Sequence, residues 1–90
     1  MDEMVFERFL EREKLTKGGR DTRMSKARSA EKIIGRDLDI VVANDDDMYN
    51  SLVVLNGHEN PAKKPLSNAL RKYYKCKNGR TFPQLVNYKR

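Results

Sequence analysis

The stretch from Pro65 to Gly79 constrains the fold of this chain more than any other. Leu66, Ala69, Leu70, Tyr73 and Cys76 recur at helical spacing and share one face, with Tyr74 at its border. Asn68, Arg71, Lys72 and Lys75 fall on the opposite side. Pro65 or Ser67 starts the helix, since proline is tolerated where no intrahelical N–H is needed, and Asn78-Gly79 ends it. One amphipathic helix cannot bury its own apolar face, so the rest of the chain must supply complementary surfaces.

Three further segments supply them. Between Glu3 and Lys14, Val5, Phe6, Phe9 and Leu10 lie within one arc, with Glu7, Arg8, Glu11 and Lys14 opposite. Thr16-Lys17-Gly18-Gly19 is expected to end that helix, because glycine raises the entropic cost of continuing. Asp21 or Thr22 then caps a second helix that runs to Ile34 and stops at Gly35. Its inner face is Met24, Ala27, Ala30 and Ile34, with Ile33 at one edge; Ser25, Arg28, Ser29 and Lys32 point outward. Asn44 opens a third helix through Asp45, Asp46 and Asp47 to Leu55, presenting Met48, Tyr49, Leu52, Val53 and Leu55 on one broad face. The apolar run Leu38 to Val42 has no second strand to pair with, so it is an extended or single-turn connector that inserts Leu38, Val41 or both into the core. The expected fold is all-α: a small four-helix bundle over residues 1–79 with a C-terminal tail, 80–90, partly packed or flexible. In that tail Phe82, Leu85 and Tyr88 are the residues able to fold back, after a short turn from Pro83. At 90 residues the bundle buries only about 60% of its unfolded surface, so its core is thin.

Catalytic and metal-binding classes find no foothold. One histidine, His58, and one cysteine, Cys76, cannot make a closed zinc site or a nucleophile–base pair. Counted as a calcium loop from Asp45, the sixth position is Asn50 and the twelfth Asn56, where glycine and glutamate are needed. Three carboxylates in a helix's first turn are instead what the positive end of its dipole stabilises. Cys76 reads as a small hydrophobe on the inner side of its helix. No enzymatic activity, cofactor or metal is expected. No apolar run approaches the roughly 20 residues that cross a bilayer, and Met1-Asp2-Glu3 lacks the basic start of a secretory signal. With a single cysteine, a cytoplasmic location is the natural one.

The informative feature is how charge is laid out. Residues 1–15 sum to −2, residues 16–36 to +5, residues 37–59 to −6 and residues 60–90 to +9, for a net charge of +6. The last block contains no acidic residue. An acidic centre flanked by two basic segments suits contact with a polyanion, although a solvated basic face has the same composition.

The run Ser67-Asn68-Ala69-Leu70-Arg71-Lys72-Tyr73-Tyr74, continued by Lys75-Cys76-Lys77-Asn78-Gly79, resembles the last helix of the core-binding domain of phage-integrase-type tyrosine recombinases. Ala27 to Val42, followed by the acidic start Asn44-Asp45-Asp46-Asp47, is similar to the same family, and the likeness covers about 75 of 90 residues in outline. It implies a SAM-like bundle that clamps one side of duplex DNA, with Lys26, Arg28, Lys32, Arg71, Lys72 and Lys75 near phosphates. The family's catalytic domain has no counterpart in these residues.

Two functions follow as expectations. The first is a non-catalytic accessory domain that binds double-stranded DNA through Lys26, Arg28, Lys32, Asn68, Arg71, Lys72 and Lys75, with Asn68 or Arg71 able to reach a base edge. The second is a small protein-binding module, or a phage-borne inhibitor, that sets the same surface against an acidic protein. An exposed apolar patch at Tyr49, Val53 and Val54 would favour the second.

Overall fold

The computed structural model describes residues 1–89, and every long element in it is a helix. Five α-helices follow one another: α1 (Glu3–Arg12), α2 (Lys17–Ile34), α3 (Leu38–Val42), α4 (Asp45–Asn56) and α5 (Pro65–Asn78). A 3-10 turn, Leu85–Asn87, lies beyond them. The protein is a small all-α bundle of four long helices, and the connector at 37–42 is the short fifth. Asp37 caps α3 by accepting from the Asp39 N–H at 2.8 Å, and the turn buries Leu38, Val41 and Val42.

Local capping explains most boundaries. The Asn44 side chain accepts from the Asp47 N–H at 3.0 Å to start α4. Gly35 and Gly79 end α2 and α5 in the left-handed conformation, with φ of 76° and 74°, where a Cβ is unfavourable. The boundary between α1 and α2 differs from expectation. Gly18 and Gly19 do not break the chain; they lie in the first turn of α2, where Thr16 accepts from the Gly19 N–H at 3.0 Å. Asp21 and Thr22 are therefore inside the helix and cap nothing. Glycine weakens a helix interior, but in the first turn its N–H has no intrahelical bond to lose, and the threonine cap compensates. The break falls at Lys14 instead, which takes φ of 61°, a conformation that glycine would adopt more cheaply.

The core runs through the bundle from Phe6 and Leu10 of α1, past Met24, Ala27 and Ala30 of α2, to Leu70, Tyr73 and Tyr74 of α5. Alanines on α2 let α2 and α5 form the broadest helix contact in the molecule. From the other side Leu38, Val41, Met48, Leu52 and Leu55 complete the core. Tyr74, expected at a border, is fully buried, and its hydroxyl donates to Asp45 at 2.8 Å. Burial and that carboxylate raise the Tyr74 phenol to about 12, so it stays a donor at neutral pH. Tyr73 is also buried; its hydroxyl donates to Asp39 and accepts from the Asp2 N–H at 2.8 Å, tying α5 to α3 and to the start of α1. Ile34 is only partly buried and Val53 is exposed, so the inner faces of α2 and α4 are narrower than their periodicity implied.

Residues 80–88 lie along α4 and α5. Phe82 is buried, edge-on to Tyr74 at 5.1 Å between ring centroids. Tyr88 stacks on Tyr49 at 5.3 Å and donates its hydroxyl to Asp46 at 2.7 Å. Asp45 also pairs with Arg80 at 3.2 Å, and Asp47 with Arg36 at 3.1 Å. Each carboxylate of the aspartate triplet thus has a partner from elsewhere in the fold, besides facing the helix dipole.

The start of α5 is held from a distance. Lys64, at the N-cap position, makes no side-chain cap bond. Glu59 replaces it: its carboxylate accepts from the N–H of Leu66, from the N–H of Ser67 at 3.1 Å and from the Ser67 hydroxyl at 2.7 Å. Glu59→Ala leaves these donors without their acceptor, so it is expected to lower stability by about 1–2 kcal/mol in urea unfolding. A cost near zero would mean that solvent serves the α5 N-terminus equally well.

Candidate nucleic-acid interface

Two adjoining clefts lie where α2 and α5 meet the loop before α5. The larger, ≈ 620 Å³, is lined by Arg23 and Lys26 on α2 and by Lys63 and Lys64 before α5, with Leu15, Ala62 and Pro65 as apolar floor. The smaller, ≈ 230 Å³, lies between Arg23 on one side and Arg71, Lys72 and Lys75 on the other. Arg23 and Asn68 line both, so the clefts join into one track. Among the described residues no carboxylate lines either cleft, although Glu13 pairs with Lys72 and Lys75 from beside the smaller one.

The cations fall here for reasons of helix geometry. Arg23 and Lys26 are three residues apart on α2, and Asn68, Lys72 and Lys75 follow at four and three on α5, so each set projects along one side. Small α2 side chains bring the two helices close, which sets the two sides next to each other. Long lysine and arginine stems can lie along apolar surface while their charged ends stay in water.

The seven residues expected from sequence divide between four situations. Lys26, Asn68, Lys72 and Lys75 lie on the track. Arg28 does not: its guanidinium is paired with Glu3 of α1. Lys32 lies in a separate depression with Arg36, Glu31 and Asp37, where two carboxylates dilute the positive charge. Arg71 borders the smaller cleft, but it is half-buried, and its Nη1 donates to the carbonyls of Phe82 at 2.9 Å and Pro83 at 3.2 Å. Burial pushes its pKa down, as expected where carbonyls rather than a carboxylate receive it. Arg71 was expected to face away from the core; its Nη1 instead clamps the C-terminal segment.

Periodicity missed Arg23, Lys63 and Lys64. Arg23 shares its turn with the core residue Met24 and lies outside the outward face of Ser25, Arg28, Ser29 and Lys32. The lysine pair lies outside any helical period, in the loop just before Pro65 and so beside the α5 start. Among the described residues none of these three, nor Lys26, forms an ion pair. Lys72 and Lys75 do, with Glu13 at 2.7 and 3.8 Å. Those lysines hold the Glu13 carboxyl below the usual glutamate range, chiefly through the Lys72 hydrogen bond.

Other surfaces carry different chemistry. Val53 and Val54 on α4 are 48% and 45% exposed, while Tyr49 beside them is covered by Tyr88. Cys76 is half-buried and packs against the core, as expected of the inner side of α5; its thiol points to the Val5 carbonyl at 3.9 Å, and burial pushes its pKa up. Among the described residues no cluster of three or more His, Cys, Asp or Glu side chains forms a metal-binding group, and no helix is long and apolar enough to cross a membrane. The chain matches no protein-family model, no curated protein and no solved structure.

Proposed function

We propose that this protein is a non-catalytic DNA-binding domain that holds the phosphate backbone in the track between α2 and α5. The observation that carries this reading is the meeting of Arg23, Lys26, Lys63, Lys64, Lys72 and Lys75 along two joined clefts, where among the described residues only Lys72 and Lys75 have a carboxylate partner, Glu13. Like charges gathered this way repel one another and are relieved by a polyanion, whose condensed counterions are released on binding. Asn68, exposed where the clefts join, is the one amide on the track able to approach a base edge. The resemblance of Ser67 to Gly79 to the last helix of integrase core-binding domains points the same way. An accessory role, beside a catalytic partner or domain, fits a surface dominated by positive charge.

The test is a salt titration of binding to duplex DNA. With about four to six phosphates neutralised, the log–log slope of affinity against salt is expected near −4 to −5. A flat dependence between low and physiological ionic strength excludes the proposal.

A second reading, a small protein-binding module or phage-borne inhibitor, is favoured by the exposed Val53 and Val54 on α4. A partner recovered from nuclease-treated lysate, and lost on Val53→Asp, supports that reading instead.

A further inference from the structure

The track is not uniform along its length, and this difference has a consequence if it binds DNA as proposed above. At the α2 end, Arg23, Lys26, Lys63 and Lys64 have no carboxylate partner among the described residues. At the α5 end, Glu13 reaches over from the end of α1 and lies between Lys72 and Lys75. It is the carboxylate that a bridging phosphate oxygen would replace, held by the same two ammonium groups.

We propose that the track contains two phosphate subsites of unequal readiness: an open one formed by Arg23, Lys26, Lys63 and Lys64, and a masked one formed by Lys72 and Lys75, where Glu13 occupies the place of the phosphate. The turn that brings Glu13 there supports the assignment. Glu13 is the C-cap of α1, and the next residue, Lys14, sits at φ of 61° without being glycine. The chain therefore adopts an unfavourable conformation at the point that sets the mask. The half-buried position of Glu13, Lys72 and Lys75 keeps their pairing from being fully screened by solvent. Duplex DNA then binds first through the open subsite, and Lys72 and Lys75 contribute only as Glu13 is displaced.

The experiment measures the salt slope of binding to a short labelled duplex for wild type, Glu13→Gln, Glu11→Gln, Lys72→Gln/Lys75→Gln and the triple variant. Glu11 is exposed on the same helix, makes no ion pair among the described residues, and controls for the change in net charge. Far-UV circular dichroism checks that each variant keeps its helices. Glu13→Gln is expected to steepen the slope by about 1–2 as two lysines become available. Glu11→Gln should leave it unchanged, and the triple variant should lose the gain. Equal slopes for Glu13→Gln and Glu11→Gln overturn the masked subsite, as does a gain that survives removal of both lysines. Absence of any salt-dependent duplex binding, in wild type and Glu13→Gln alike, sinks instead the DNA-binding reading on which the subsites rest.

Discussion

Phe82→Ala is expected to cost about 3–5 kcal/mol, the range for removing a buried phenylalanine ring. The residue lies outside the five helices, so a helix-centred view of the fold would predict almost no effect. Its ring is 1% exposed and sits between Tyr74 at 5.1 Å and Tyr88 at 5.2 Å, while its carbonyl is bound by Arg71. Truncation leaves a cavity against Tyr74 and loosens the segment that supplies partners to Asp45 and Asp46. A domain of this size has a total stability of roughly 5–13 kcal/mol, so the loss is a large share of it. Urea unfolding followed by far-UV circular dichroism reads the change as a lower midpoint with a similar slope. Val86→Ala, four residues on and 90% exposed, should be nearly neutral by the same measurement. A Phe82→Ala cost below 1 kcal/mol would show that residues 80–88 add nothing to the core.

That segment also marks where sequence reading stops. What is local was legible: α5 between Pro65 and Gly79, the Asn44 cap, the left-handed stop at Gly35, and the insertion of Leu38 and Val41 all follow from neighbours a turn away. The Gly18-Gly19 pair misled because a propensity averaged over a helix interior does not apply to its first turn. What a periodic pattern cannot give is the group across the gap. It places Arg28 and Lys72 on outward faces, correctly, but their partners Glu3 and Glu13 lie 25 and 59 residues away. The same limit hid the role of Arg71, whose acceptors are carbonyls of a segment with no helical period of its own. Charge totals by segment therefore located the positive surface in outline, on α2 and α5, without saying which cations were free. Tertiary contact engages Arg28 with Glu3 and Arg71 with the Phe82 and Pro83 carbonyls, and adds Arg23, Lys63 and Lys64 to the track.

The free cations carry the larger functional prediction. Lys26→Glu combined with Lys63→Glu is expected to reduce the salt slope of duplex binding from near −4 to about −2, since two phosphate contacts are lost. The fall in affinity should be the same for unrelated DNA sequences, because ammonium groups on phosphates position the protein without reading bases. Folding should survive: Lys63 is exposed, Lys26 projects into the open cleft, and neither makes an ion pair among the described residues. Arg28→Glu/Lys32→Glu makes the matched comparison, with an equal change in net charge placed on a surface already supplied with carboxylates. If binding depends on the shape of the track, the first pair must weaken it far more than the second. If the two pairs weaken it equally, the protein senses DNA through total charge alone, and the clefts between α2 and α5 have no special part in it.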